Sequence, residues 1–402
     1  IALATLSILS VIPSVQYQLL DQRVRVQAIY RNQTGQVPNA SAVILLVEID
    51  NASLEEAGLI KPKPISRQYL ARLIDRTAQL KFDIVGVDYL LNVDWPEEDP
   101  ALEKSLAASR SQSETQYIFI TSRDSGNERR LTRPQFADRE WQGDSRLWES
   151  GRYMTLLPLE TEERPFPFSY LLALVDTAED SQIGSLSQTN PILLIDQLFV
   201  AWMRPILLTR HSYRHYQYWL HPIVDFSIPQ NTIYESISAK DFLAATPEQL
   251  QTKYPQSVMM IIPGGYAEAG INRSGEDNFP PPPAFCYWQR QAQPYRPCRI
   301  ILGGEIHAYL FYHFLKKSAV IPIPDLWLLW LFALIGKSLT VFVKQSEFDH
   351  RKVVIIFFGG TVIYGIVSLQ LYISGSVLLP ILMPTAILWV ILIPQLKLRK
   401  FQ

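Results

Sequence analysis

Apolar residues crowd the carboxy-terminal part of this chain. Three hydrophobic runs, 326–343, 353–371 and 377–393, follow one another closely, and a shorter one fills residues 1–15. A helix needs about 20 predominantly apolar residues to cross a bilayer. Each carboxy-terminal run is therefore a candidate span, and about three hundred residues of mixed composition hang between the two apolar ends.

Basic residues orient the spans. Lys344, Arg351 and Lys352 lie between the first two, and Lys397, Arg399 and Lys400 follow the third, whereas the link 372–376 is uncharged. Positive loops stay inside, so both basic segments belong in the cytoplasm and the large domain lies outside. Arg23, Arg25, Lys316 and Lys317 fall on the outer side, but large domains cross regardless of charge. Lys337, within the first run, either snorkels to the cytoplasmic face or makes a polar contact between helices. The expected division is a truncated amino-terminal anchor over 1–20, an extracytoplasmic domain over 21–322, three transmembrane helices over 323–396 and a basic cytoplasmic tail over 397–402. The chain opens on isoleucine, and 1–15 reads as the tail of a signal anchor, with part of a cleaved signal peptide as the alternative.

The outer domain reads as α/β, with a mixed, mainly parallel sheet. Residues 42–49 (AVILLVEI) form a short apolar run, as in a strand buried on both faces. Residues 68–80 carry apolar side chains at helical spacing behind Ser66, a plausible N-cap. A second buried strand, 82–87, completes a β-α-β unit, and 257–262 repeats the strand pattern before two glycines. Residues 299–302 form a further short strand or lead into a helix from Glu305. The charged stretch 122–152 reads as an excursion outside the core, 168–175 as a helix, 181–190 as a loop, and 278–297, rich in proline, as an extended surface run. A net charge of -1 gives no electrostatic case for nucleic acid. Cys286 and Cys298 could close a disulfide worth roughly 3 kcal/mol. Metal binding by two thiols without nearby histidines is the weaker reading.

Several short motifs, in order, resemble the second class of CHASE domains, the cyclase- and histidine-kinase-associated sensory extracellular domains. They are Asp21-Gln22-Arg23 with Arg25, then Ile49-Asp50-Asn51-Ala52-Ser53-Leu54, Ser66-Arg67 and Gly86-Val87-Asp88. Ile261-Ile262-Pro263-Gly264-Gly265 and Gly304-Glu305-Ile306-His307-Ala308 follow. The resemblance covers residues 21–309 and implies a sensory domain followed by three spans. The chain departs from the family where Lys61-Pro62-Lys63-Pro64 replaces an aromatic, proline-rich stretch. Tyr309 replaces a common asparagine and Pro281 a common threonine. A ligand bound through those groups in relatives would not be bound in the same way here.

The candidate ligand-binding residues are Asp50, Ser53, Arg67, Asp88, Gly264, Gly265, Glu305 and His307. Asp50 and Asp88 end parallel strands, where open α/β sheets bind ligands. The two glycines permit close backbone approach, and Arg67 adds an anion contact at a helix start. Each has a plainer reading. Asp50 orders its turn with Ser53, Glu305 favours a helix N-terminus, and His307 is a satisfied core histidine. His211 and His215 have a metal-ligand spacing, with His221 nearby, but lack the intervening glutamate of a zinc protease. No metal, cofactor or catalysis is expected.

The expected function is extracytoplasmic ligand sensing relayed through the spans. The alternatives are a non-signalling membrane assembly protein and a metal-dependent hydrolase using Asp50, Asp88, Glu305 and His307. Expected partners are the lipid bilayer of the cell (inner) membrane, and a small-molecule or protein ligand in the periplasm or outside the cell. A cytoplasmic or membrane signalling partner and a second copy of the chain complete them.

Overall fold

Apolar strands with no polar face must be covered on both sides, and in this chain they are. The computed structural model describes residues 1–38, 41–59, 63–80, 82–113, 115–123, 128–155, 166–177, 215, 217–269, 277–345 and 350–398. The chain divides into two units. One comprises Val37–Met203 and Ile228–Ser318; the other comprises Ile1–Gln36, Arg204–Ser227 and Ala319–Gln402.

In the first unit, β1 (Ile44–Ile49), β2 (Ile84–Val87), β3 (Gln116–Arg123), β6 (Tyr234–Ser238) and β7 (Val258–Pro263) build a parallel sheet in the order β3-β2-β7-β1-β6. Two short strands extend it beside β3: β4 (Arg129–Arg130), antiparallel, and β5 (Gln142–Asp144), parallel. The architecture is mixed α/β with a mainly parallel sheet. β7 is buried at every residue, and it sits between β1 and β2, which are parallel to each other but not adjacent.

Alternation along the strands splits the sheet into two faces. Leu45, Val47, Val85, Phe119 and Ile261 share one core with α4 (Arg67–Ala78) and α5 (Asp99–Gln112), through Leu70, Leu73, Ile74, Leu102 and Leu106. Of the helices next in the chain, α7 (Gln230–Ile233) leads into β6, and α8 (Ala239–Ala244) and α9 (Pro247–Lys253) connect β6 to β7. The other face takes α6 (Phe168–Thr177) and α11 (Gly303–Leu315). Small residues seat these helices closely. A Cβ on Gly143 would stand 2.5 Å from the Phe168 backbone, one on Gly86 2.9 Å from the Phe168 ring, and one on Gly304 2.4 Å from Ile262.

Two segments differ from their sequence reading. The stretch 122–152 is partly core: β5 joins the sheet, and Phe136 and Ala137 are buried. The proline-rich stretch 278–297 is not extended throughout. β8 (Asn278–Phe279) pairs antiparallel with β9 (Ile301–Leu302), and Pro282 and Pro283 open a helix, α10 (Pro283–Ala292). Proline lacks the N–H that a first helical turn leaves unpaired, so here it starts a helix. Cys286 on α10 is bonded to Cys298, with Cα atoms 5.3 Å apart.

In the second unit, α1 (Ala2–Val11) and α2 (Pro13–Thr34) meet at an 87° bend, where Pro13 removes a helical hydrogen bond. α12 (Asp325–Gln345) and α13 (His350–Gly375) contain segments long and apolar enough to cross a membrane, Asp325–Val343 and Arg351–Gly375, of 19 and 25 residues. Ile355, Ile356, Phe358 and Ile363 of α13 are largely exposed, which suits contact with lipid.

The third expected span is shorter than its sequence suggests. Val377–Leu378 (β11) pairs in parallel with Ile321–Pro322 (β10), which takes those residues out of the helix. α14 (Leu382–Leu398) begins only afterwards, and its apolar part is Leu382–Pro394. Its 17 residues rise about 26 Å, against a hydrocarbon core of about 30 Å.

A buried polar junction ties α2 to α13. Arg31 donates through Nη2 to Asp225 (3.1 Å) and through Nε to Ser227 Oγ (2.9 Å), and Tyr372 Oη donates to the other Asp225 oxygen (2.7 Å). Arg23 pairs with Asp325 at the start of α12.

Candidate functional site at the carboxyl edge of the sheet

Three neighbouring parallel strands, β2, β7 and β1, end side by side. Their last residues lead into Asp88, Gly264 with Gly265, and Asp50. The sheet thus assembles in one place residues separated by more than two hundred positions. Open α/β sheets bind ligands along such an edge.

Asp50 is engaged in ordering this edge. It caps α3 (Asn51–Glu56) by accepting from Ser53 N (2.8 Å), Ser53 Oγ (2.6 Å) and Ser238 Oγ (3.0 Å). Ser53 is itself buried and accepts from Lys240 N. A Cβ on Gly264 would lie 2.7 Å from the Asp50 backbone, and its N–H donates to Ile49 O (2.8 Å). Glycine is needed there because two chains nearly touch. Gly265 (φ 79°) occupies the left-handed region that favours glycine.

Arg67 starts α4 but is wholly buried. It donates to Ile65 O (3.0 Å), lies 3.4 Å from Asp99 Oδ1, and covers the Phe136 ring. Burial lowers its pKa, and Asp99 opposes that shift. Glu305, also fully buried, accepts from Leu302 N (2.9 Å), from both guanidinium nitrogens of Arg299 (2.7 Å for Nη1), and from Tyr234. His307 shares a 2.7 Å hydrogen bond with Ser169 and meets the Phe168 ring edge-on. Burial pushes its pKa down to about 4. Nearby, burial lifts Glu48 to about 7, helped by the charge on Glu305.

Asp88 is different. Its N–H donates to Ile261 O (2.9 Å), which fixes it to the sheet, and its side chain is 4 % exposed. Its Oδ2 has no hydrogen-bond partner among the described residues. Around it stand Asp277, Tyr89 and Tyr266, each within electrostatic range of the others. Burial, reinforced by Asp277, raises Asp88 well above the carboxylate range. Burial lifts Asp277 to about 7, and the exposed Lys63 ammonium restrains it.

The eight sequence candidates thus separate by engagement. Asp50, Arg67, Glu305 and His307 each satisfy partners of their own. Among the described residues, no three histidine, cysteine, aspartate or glutamate side chains converge as a metal would require. His211 lies outside the described residues. His221 is buried against Tyr218. Asp277, Tyr89 and Tyr266 were not singled out in the sequence. Asp277 follows a polar, turn-like stretch without period, and only the fold brings it to Asp88.

A family model described as the CHASE2 domain matches residues 1–343. No curated protein and no solved structure matches the chain.

Proposed function

This chain belongs to the CHASE2 family, whose domain is extracytoplasmic and sensory, not catalytic, and from that premise we propose that it is a membrane-held signal-input protein. The observation that carries the reading is the reach of the match. It covers the whole sheet domain and continues through the apolar part of α12, which supports reading the domain and that helix as one unit.

In this reading the large domain faces the periplasm or the cell exterior. The segments around Arg351 and Lys397 lie in the cytoplasm of a multi-pass inner-membrane protein. A ligand engages the carboxyl edge of the sheet, where Asp88 Oδ2 has no hydrogen-bond partner among the described residues. Binding shifts the population between two arrangements of the domain. The difference leaves through α12 and α13 to a cytoplasmic or membrane partner, with a second copy of the chain as one candidate.

Full-length protein in lipid nanodiscs tests this. Both native cysteines are in the disulfide, so spin labels can be placed at Val341→Cys and Ile355→Cys. A panel of amino acids, organic acids, amines and sugars is then added. The sensory reading expects a compound that raises the Tm and changes the label separation, with both effects lost in Asp88→Asn. Stoichiometric co-purification of a membrane protein, with no response to any compound, would overturn sensing in favour of assembly.

A further inference from the structure

We infer that Asp88 and Asp277 form a proton-binding site, so that the signal read at the carboxyl edge includes the hydrogen ion. This rests on the sensory reading and names a ligand for its site.

The geometry supplies the argument. Asp88 is 4 % exposed and Asn278 2 %, and each has an oxygen without a hydrogen-bond partner among the described residues: Asp88 Oδ2 and Asn278 Oδ1. Asn278 Nδ2 is used, donating to Tyr266 O (3.2 Å). Both orphaned atoms are acceptors, so this edge is short of donor hydrogens. Protonation of a carboxylate turns an acceptor into a donor. The proton comes from hydronium and returns to water, and no other reactant is needed.

The charges around the pair point the same way. Asp88 faces Asp277. The other groups near them are the phenols of Tyr89 and Tyr266, Glu268 beside Tyr266, and the ammonium of Lys63. Lys63 is exposed and, among the described residues, is the one cation in this group. Two ionised carboxylates here would combine like-charge repulsion with burial. Such a pair retains one proton and titrates as a unit.

The pair also bridges two parts of the domain. Asp88 is anchored on β7 through Ile261. The Asp277 backbone bonds Ala269 (2.9 Å) and Gly303 (2.7 Å), the first residue of α11. A Cβ on Gly303 would come within 2.2 Å of Asp277 Oδ1, so the carboxyl lies tight against that helix start. Loss of the proton sets Asp277 against Asp88 beside the first turn of α11.

The pH dependence of unfolding tests this on the full-length protein in detergent. Both carboxyls have folded values above their unfolded ones, so their stabilising contribution is complete below about pH 4 and drains away as pH rises, for Asp277 through about 7. The expected result is a Tm that falls by several degrees from about pH 5 to about pH 8. Asp88→Asn and Asp277→Asn should each flatten that slope, and the double variant should flatten it little further. A slope unchanged in both single variants would overturn the proposal. So would a Tm rise with calcium or magnesium that Asp88→Asn removes at fixed pH, since the site would then hold a metal. Should Asp88→Asn fail to fold, infrared difference spectra of wild-type protein and Asp277→Asn decide. A protonated-carboxyl band that disappears as the wild type is made alkaline, and that is altered in Asp277→Asn, supports the site; its absence overturns it. These measurements read protonation alone, so a proton site that leaves the spin-label separation unchanged would overturn the hydrogen ion as a signal, while a response of the labels to another compound would still support sensing.

Discussion

Gly264 shows how little room the carboxyl edge leaves. The methyl of Gly264→Ala would press on the Asp50 main chain, which cannot rotate away as a side chain can. We expect a loss of about 1–3 kcal/mol, read as a lower denaturant midpoint. His307 gives a second prediction of opposite pH sense to the carboxyl pair. Its folded value of about 4 lies below the unfolded one of 6.5, so acidification to below about pH 6 must charge a buried ring. The stability lost on that limb should shrink in His307→Gln, as a Tm profile from about pH 4 to about pH 7 would show. At this scale the sequence was partly legible. The Asp50–Ser53 cap is local, three residues apart, and reads directly from residue type. Arg67 is less so: its position at a helix start suggested an anion contact, but burial beside Asp99 commits it to the core. Asp277 could not be read at all, because its partner is 189 positions away and no periodicity marks its loop.

At the scale of elements, continuous apolar character was the reliable signal. β1, β2 and β7 are buried strands, and α4 carries a helical stripe, so each was visible in isolation. β3 and β6 were not recognised. In β3 the apolar run is only four residues, Tyr117 to Ile120, between polar ends, and β6 is a half-exposed edge strand. α10 was hidden by its prolines, which read as breakers although they sit at a helix start. The junction between α2 and α13 yields the prediction that belongs here. Asp225→Ala leaves Arg31 buried without its counter-ion, which should cost about 3–5 kcal/mol. Tyr372→Phe, which removes one hydrogen bond to the same carboxylate, should cost about 1 kcal/mol. Unfolding of the two variants in one detergent checks the ranking.

For the whole molecule, the decisive prediction is topological. The two native cysteines are bonded to each other, so an introduced thiol is the one reactive group. In intact cells, an impermeant maleimide should label Arg130→Cys, on the exposed β4, and should reach Arg351→Cys only after lysis. The reverse pattern would place the sheet domain in the cytoplasm. The short pairing of Ile321–Pro322 with Val377–Leu378 then acquires a mechanical meaning. It staples the strand entering one span to the strand leaving the next, through main-chain bonds from Ile321 N to Ser376 O and from Ile323 N to Leu378 O, both 2.9 Å. A pull along the chain into α12 is therefore shared with the exit of α13. α12 and α13 are thus yoked at this end, and sliding one past the other would first require breaking those bonds.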